Sequence, residues 1–235
     1  MPAERPQAGS QTLSRGIRVL EIVAAADRNL SIDEIASALG VHRSVAYRLL
    51  RTLEDHGLVT RDPAGRIALG AGLAALAAGV QRDLQQLALP ELAEVAEELG
   101  MTCLLAVLLD GDEAVTLVSA SPRRAAAVSY RPGHRHPITR GGPGKAILMG
   151  LPEARWPADV SEALRSEIAE SRERGYTVSH DEVVPSLRSV AVPLTLPGQP
   201  PAAIAVIHVS FPRPERELAD RLLDAVANLR RASGA

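Results

Sequence analysis

Residues 30–69 read LSIDEIASALGVHRSVAYRLLRTLEDHGLVTRDPAGRIAL, and this stretch decides the fold of the first part of the chain. Ser31 and Glu34 have the spacing of a capping box, which predicts that a helix begins just after Ser31. Gly40 suits the end of that helix, because glycine adopts left-handed backbone angles at little cost. The stretch therefore begins with a short helix followed by a tight turn.

A second helix is predicted to begin near His42 or Arg43. Its apolar residues recur at i, i+3, i+4 and i+7, which gives one buried stripe: Ala46, Leu49, Leu50 and Leu53. Its opposite face is rich in hydrogen-bond donors: Arg43, Ser44, Tyr47, Arg48 and Arg51. A helix with one buried face and one face of donors is suited to reading bases in the major groove of DNA.

The residues after this helix favour a small β-hairpin. Residues 58–60 and 66–69 have strand character, and the turn residues DPAG at 62–65 lie between them. A helix-turn-helix followed by a hairpin is a winged helix. Arg61 and Arg66 on the wing are predicted to contact phosphates. The alternative is a small helical domain whose arginines are only solvated.

A further helix is predicted at residues 14–26, before the helix-turn-helix. Its inward stripe is predicted to contain Leu13, Ile17, Leu20 and Val23. Arg15 and Arg18 lie away from that stripe, and they are further candidates for contacts with the DNA backbone. Solvated arginines are the alternative here too.

Composition narrows the class of protein. The 235 residues are enough for two modest domains, and no apolar run approaches the length of a membrane span. The first ten residues lack the apolar core of a signal peptide, which predicts a cytoplasmic protein. A single cysteine, Cys103, excludes an internal disulfide.

Residues 1–70 hold nine arginines against eight acidic residues, so DNA binding depends on where the arginines point rather than on bulk charge.

The chain is predicted to divide into a disordered arm (1–12), a winged helix-turn-helix domain (13–70), a linker helix (71–89) that Pro90 ends, and a domain of mixed structure (90–235). An apolar linker helix must bury its face, and a second copy of the chain is the simplest partner. Packing against another part of the same chain is the alternative. Strands are predicted at 102–109, 114–120, 125–130, 189–196 and 202–210, and helices at 91–99, 142–150, 162–174 and 214–230. Because strands and helices do not alternate regularly, the fold class is α+β with an antiparallel sheet.

Four further features of the sequence are candidates for phosphate binding, metal binding or catalysis. Residues 141–145 (GGPGK) lack the hydroxyl that follows the lysine of a phosphate loop, and they are better explained as a helix N-terminus that suits a small carboxylate. His134 and His136 lack a third metal ligand. Cys103 is predicted to be an inert core residue. No nucleophile elbow surrounds Ser186 or Ser189. The chain is therefore predicted to be no enzyme and to need no metal or cofactor.

Five segments resemble those of one known family, the IclR transcriptional regulators. They are SRGIRVLE at 14–21, VHRSVAYRLLRTLE at 41–54, GPGKA at 142–146, RGY at 174–176, and the strand at 203–212. The resemblance covers the chain from about residue 11 to the last helix. It implies a winged helix-turn-helix, a C-terminal GAF-like effector-binding domain, and dimers formed through the linker. It further implies a palindromic or repeated DNA operator, most commonly with repression as the outcome.

The resemblance also implies an effector pocket for a small organic acid or an aromatic metabolite. Its lining maps to Ala125, Val128, Tyr130, Gly142, Pro143, His180, Ser189, His208 and Ser210. The chain departs from the family pattern at Val183–Ser186 (VVPS) and at His208, which is bulkier than the serine often found there. Two alternatives stay open: a regulator whose pocket is closed, and a small-molecule-binding protein whose N-terminal module binds protein. Whether dimers pair into tetramers stays open as well.

Overall fold

The computed structural model describes residues 9–109, 112–123 and 130–234. It separates into two compact units between Arg82 and Asp83. The first unit combines helices with a two-stranded hairpin, and the second combines helices with a six-stranded antiparallel sheet. The predicted α+β class is confirmed. Within the described residues, no helix has the length and apolar character needed to cross a membrane.

The first unit is built as the sequence predicts around its central stretch. The Ser31 side chain accepts from the Glu34 amide, the Glu34 side chain accepts from the Ser31 amide, and Gly40 has φ 67°. The four residues of the predicted stripe on the second helix are all buried. Its elements are α1 (Gln11–Ala25), α2 (Ile32–Leu39), α3 (Arg43–Asp55), β1 (Val59–Arg61), β2 (Ile67–Leu69) and α4 (Gly72–Ala77).

The inward face of α1 differs from the prediction. Gly16, Val19 and Val23 are buried, whereas Leu13 is 65% exposed and Ile17 is 50% exposed. The helix packs through its small and β-branched residues, because α2 and α3 come close to that side. The helix also begins at Gln11, capped by Ser10, so residues 11 and 12 of the predicted arm are helical. Residues 1–8 of that arm lie outside the described residues.

The predicted single linker helix that Pro90 ends is wrong. The first helix after the wing, α4, ends at Ala77, and the next helix, α5 (Arg82–Leu99), runs through Pro90 without a break. Between them Gln81 has φ 47°, a left-handed conformation that cannot continue a helix. A proline inside a helix costs about 3 kcal/mol. Six buried side chains along α5 offset that cost: Leu84, Ala88, Leu92, Val95, Ala96 and Leu99.

The second unit consists of one sheet with helices on both faces. After α5 its elements are β3 (Thr102–Leu108), β4 (Glu113–Ala120), β5 (Arg135–Pro137), α6 (Gly142–Gly150), a 3-10 turn (Glu153–Arg155), α7 (Glu162–Arg174), β6 (Thr177–His180), β7 (Arg188–Leu194), β8 (Ala202–His208) and α8 (Glu215–Ala232). The strand order in the sheet is β5-β4-β3-β8-β7-β6, and every neighbouring pair is antiparallel.

Each central strand contributes to two cores, which explains its continuous apolar sequence. Cys103 and Leu105 of β3 face the core that contains α5 and α8, whereas Leu104 and Ala106 face the core that contains α6. A strand buried on both faces reads as an unbroken apolar run. The predicted strands at 102–109, 114–120, 189–196 and 202–210 are therefore present, each with a shift of one or two residues at an end.

Two strands of the sheet were not predicted. The sequences of β5 (RHP) and β6 (TVSH) are short and polar, so they carry little strand signal. The predicted strand at 125–130 falls almost entirely outside the described residues. The predicted helices at 142–150, 162–174 and 214–230 are present as α6, α7 and α8.

Candidate functional site

The exposed side of α3 is the candidate DNA-binding surface, and we call it the α3 face: Arg43, Ser44, Tyr47, Arg48 and Arg51. All five are exposed, and Tyr47 is 46% exposed despite its aromatic ring. His42 caps the helix, and a shallow surface depression runs from His42 to Arg48. The Arg43 guanidinium lies 2.6 Å from the Asp33 carboxylate of α2. Among the described residues, Arg48 and Arg51 have no carboxylate partner.

The arginines around the α3 face are not equally free. Arg61 forms a two-pronged pair with Glu54, with Nε–Oε1 at 2.5 Å and Nη2–Oε2 at 3.0 Å, and both side chains are partly buried. Arg18 lies 3.1 Å from Glu21 on the same helix turn. Arg66 is exposed on the wing, and Arg15 is half-buried on α1. Arg66 and Arg15 are therefore freer to contact a phosphate than Arg61 and Arg18.

The wing is fixed to the rest of the unit by its turn. Asp62 accepts from the amides of Ala64 and Arg66, and the Asn29 amide side chain, which donates to the Asp62 carboxylate, lowers the pKa of that group. Leu30 forms a β-bridge with Ile67. The wing therefore has a defined position relative to α3.

A second candidate site is a small cavity in the second unit between α6 and the sheet, which we call the α6 cavity. Its volume is about 30 Å³, room for about two water molecules. Part of its wall is the 181–187 loop between β6 and β7. The lining is Tyr130, His136, Gly141, Pro143, Ser179, Glu182, Val183, Val184, Leu187, Arg188, Ser189 and Ile207.

The structure brings only part of the predicted pocket together. Tyr130, Pro143 and Ser189 line the α6 cavity, and Gly142 adjoins it with its Cα close to Ser189. Ala125 and Val128 lie outside the described residues. His180, His208 and Ser210 are not among the lining residues: His180 pairs with Asp181, and the His208 ring hydrogen-bonds the backbone of Ser210.

Strand register explains why these histidines do not line the α6 cavity. Ser179, Ser189 and Ile207 are directly opposite one another on β6, β7 and β8, and all three face α6. His180 and His208 belong to the next row, with Arg188 between them. Arg188 borders the cavity, but its guanidinium pairs with Glu215 of α8 and lies over the Phe211 ring, on the other side of the sheet. Because side chains alternate along a strand, an error of one residue exchanges the two faces.

The N-terminus of α6 is already occupied by groups of the chain itself. The Gly141 amide donates to Glu182 at 2.8 Å, and the Gly142 amide donates to the hydroxyls of Ser179 and Ser189, each at 3.0 Å. Pro143 has no amide hydrogen. A Cβ on residue 142 would lie 2.3 Å from the Ser189 oxygen, so only glycine fits there. These amides are not open to a carboxylate ligand, contrary to the prediction for residues 141–145.

Lys145, the only lysine of the chain, lies beneath the loop of the α6 cavity. It is 1% exposed, and its Nζ lies 2.5 Å from Glu167 on α7 and 2.6 Å from Glu182 on the loop. One positive charge thus meets two carboxylates. The three side chains together carry a net negative charge, and their ion pairs connect α6 to α7 and to the 181–187 loop.

His136 is the least satisfied polar side chain of the cavity. It is 4% exposed, and neither ring nitrogen has a hydrogen-bond partner among the described residues. Burial, followed by the nearby His134 ring, lowers the pKa of His136 from 6.5 to about 4, so the ring is neutral at pH 7. Burial likewise raises the pKa of Tyr130 to about 12. In the part of the chain that is described, no group of three or more metal-binding residues gathers around these histidines.

The remaining residues singled out in the sequence have structural roles. Cys103 is buried in the core, and burial raises the pKa of its thiol, as expected of an inert residue. Ser186 has φ 64° and its amide is held by Asp181. The Trp156 indole donates to the Leu148 carbonyl at 3.0 Å and does not line the cavity, so its fluorescence reports on the core of the second unit.

Comparison with known proteins identifies the family. The sequence family described as the IclR helix-turn-helix domain matches residues 12–63, which contain α1, α2, α3 and the first strand of the wing. The regulator XynR of Escherichia coli, described as an HTH-type transcriptional regulator, is 30% identical over 202 residues, which are 78% of this chain and 80% of XynR. The chain belongs to the IclR family of transcriptional regulators.

Solved structures of this family have the same fold as the whole chain. The IclR regulator of Alicyclobacillus acidocaldarius is 28% identical, with a TM-score of 0.83 over 96% of this chain and 100% of its own. An IclR homologue of Microbacterium hydrocarbonoxydans, solved with 4-hydroxybenzoate, is 24% identical, with a TM-score of 0.78 over 95% of this chain and 100% of its own. The IclR family consists of DNA-binding regulators, so family membership argues against an enzyme.

Proposed function

We propose that this IclR-family chain is a sequence-specific DNA-binding repressor whose affinity for its operator is changed by a small molecule bound in the second unit. The observation that carries the DNA-binding part is the α3 face, an exposed surface of donors on a helix whose other side is buried. Its site of action is then the cytoplasm. Neither a metal nor a cofactor enters the proposal.

The proposed division of labour follows from the ion pairs. Ser44, Tyr47, Arg48 and Arg51 read bases, because their side chains are exposed and have no carboxylate partner in the described structure. Arg43 must release Asp33 before it reads a base. Backbone contacts come from Arg15 and Arg66, and from Arg18 and Arg61 only if phosphate replaces their carboxylate partners.

Replacing Arg48 with alanine is expected to weaken binding to the best duplex recovered from a random pool by ~1–3 kcal/mol and to relax the preference at one base position. The measurement is fluorescence anisotropy with that duplex and with single-base variants of it. Arg230→Ala removes the same charge from an exposed position on α8 and should change neither quantity. Equal affinities for wild type and Arg48→Ala would remove Arg48 from the base-reading residues.

We propose that the chain acts as a homodimer through apolar surface on the first unit. The helix α4 (GLAALA) is wholly apolar or small, yet none of its residues is buried, and Leu76 is 67% exposed. Leu13 and Ile17 on α1 are exposed as well. Several large apolar side chains exposed on one small unit are typical of a contact site. A twofold dimer then requires a palindromic or repeated operator; two such dimers on one operator are the alternative assembly.

The double change Ile17→Glu and Leu76→Glu is expected to convert the dimer to a monomer, because each protomer would bring two carboxylates without partners into the proposed interface. Light scattering after size-exclusion chromatography measures the mass. Val209→Glu places the same charge on an exposed apolar residue of the second unit and should leave the dimer intact. A double variant that keeps twice the chain mass would overturn the proposed interface.

We propose the α6 cavity as the effector site. The cavity adjoins the 181–187 loop and combines apolar walls with a few polar groups, as ligand sites do. The structural relative solved with 4-hydroxybenzoate supports a small organic acid or aromatic metabolite as the general class. A second candidate function is that of a regulator without an effector. The small volume of the α6 cavity, about 30 Å³, favours this alternative. An effector with unequal affinity for the two dimer states changes DNA binding, and a closed cavity does not.

A further inference from the structure

The α6 cavity contains one buried polar side chain that nothing in the described structure satisfies. His136 faces the cavity from β5, and its Nε2 lies 3.6 Å from the position of a Cβ built on Gly141. Buried polar groups nearly always have a hydrogen-bond partner, so an exception calls for an explanation. A neutral imidazole offers one donor nitrogen and one acceptor nitrogen, and the tautomer sets which of them meets a given partner.

The charges around the cavity argue against an anionic ligand. Glu182 lines the cavity, and with Glu167 it outnumbers Lys145, so this group carries a net negative charge. The amides of Gly141 and Gly142, the usual anion donors of a helix N-terminus, already donate to Glu182 and to two serines. Arg188 also lines the cavity, but its guanidinium pairs with Glu215 of α8 at 3.0 Å. A carboxylate placed beside Glu182 would therefore lose its hydration, while both nearby cations, Lys145 and Arg188, are already paired with carboxylates of the chain.

We propose that the α6 cavity binds a small neutral compound through a hydroxyl group, with His136 as its hydrogen-bonding partner. This inference rests on the proposed role of the cavity as the effector site and names the class of effector. A hydroxyl both donates and accepts, so it matches either nitrogen of the imidazole. The apolar part of the compound packs against Val183, Val184 and Ile207.

The 181–187 loop must move to admit such a compound, because about 30 Å³ is too little for a six-membered ring. Asp181 and Ser186, near the two ends of the loop, have positive φ angles of 60° and 64°. Glu182 fastens the loop through the Gly141 amide and Lys145. Binding therefore shifts the segment that also carries the Glu182 carboxylate.

Phenol and benzoate are the probes, since they share a ring and differ in charge. Dissociation constants are measured by ligand-observed NMR on the full-length protein. Phenol is expected to bind at least about tenfold more tightly than benzoate. His136→Leu is expected to weaken the affinity for phenol by about tenfold, because it removes one buried hydrogen bond. His136→Gln, which keeps a donor and an acceptor, should restore most of the affinity. His56→Leu, on the first unit, should leave it unchanged.

Two results would overturn the inference. If benzoate binds as tightly as phenol and His136→Leu does not weaken benzoate binding, the cavity binds anions through other residues. No binding of phenol to protein that still binds duplex DNA would show that the cavity does not take this class. In both cases DNA recognition by the α3 face stands, because the selected duplex is bound in the absence of either compound. Loss of duplex binding by the wild-type protein itself is the separate failure of the proposed function.

Discussion

Replacing Lys145 with methionine is expected to lower the free energy of unfolding of the second unit by about 3 kcal/mol. The Lys145 ammonium is buried and lies within 2.6 Å of two carboxylates. Methionine fills similar space but leaves Glu167 and Glu182 facing each other without a cation. The loss should lie at the low end for a broken buried pair, because those side chains are 39% and 30% exposed. Urea unfolding followed by Trp156 fluorescence measures this unit separately.

The matched control neutralises the carboxylates together with the lysine. The triple variant Lys145→Met, Glu167→Gln and Glu182→Gln removes all three charges and should recover more than half of the lost stability. Glu167→Gln alone leaves one complete ion pair and should cost little. If Lys145→Met unfolds at the same urea concentration as wild type, the three-charge group does not stabilise the unit.

Lowering the pH from 6.5 to 4 is expected to cost the second unit about 3 kcal/mol through His136 alone. The folded-state pKa of His136 is about 4, against 6.5 for an unperturbed histidine. Between these values the unfolded chain binds a proton that the folded state excludes, so stability falls as the pH falls. Above pH 6.5 both states are neutral, and below about pH 4 both are charged. The contribution is therefore constant outside this window.

The difference between wild type and His136→Leu isolates this effect from the titration of other groups. His134, Tyr130 and Glu182, which lie near the ring, are present in both proteins. The free energy of unfolding from urea titrations should fall more steeply with acid in wild type, and the two curves should run parallel above pH 7. Parallel curves down to pH 4 would mean that His136 accepts a proton in the folded state as readily as in the unfolded chain.

The DNA-binding unit was largely predictable because its signals are local. The capping box of Ser31 and Glu34, the glycine at position 40, and the apolar stripe of α3 each depend on residues within one or two helical turns. The inward face of α1 was not predictable in this way. Which side of an amphipathic helix is buried depends on its partners, and α2 and α3 select Val19 over the longer Ile17.

The α6 cavity was predicted only in part because its geometry depends on contacts distant in sequence. Ser179 and Ser189 meet across two strands, and both receive the Gly142 amide, 37 and 47 residues away. His180 and His208 are each one residue along the strand from Ser179 and Ile207, and the sequence alone does not show which of the two rows faces α6. The sequence contained one signal for His136, its spacing of two residues from His134, but that spacing indicates only a possible metal site.

A selection from random duplexes tests whether the α3 face reads DNA sequence. Purified protein is incubated with the pool at two salt concentrations, and the bound duplexes are sequenced. We expect a motif with twofold symmetry or a repeat, and an affinity that falls steeply with salt as phosphate contacts release counterions. If folded protein recovers no motif at either salt concentration, the α3 face does not read DNA sequence, and the first unit is a protein-interaction module.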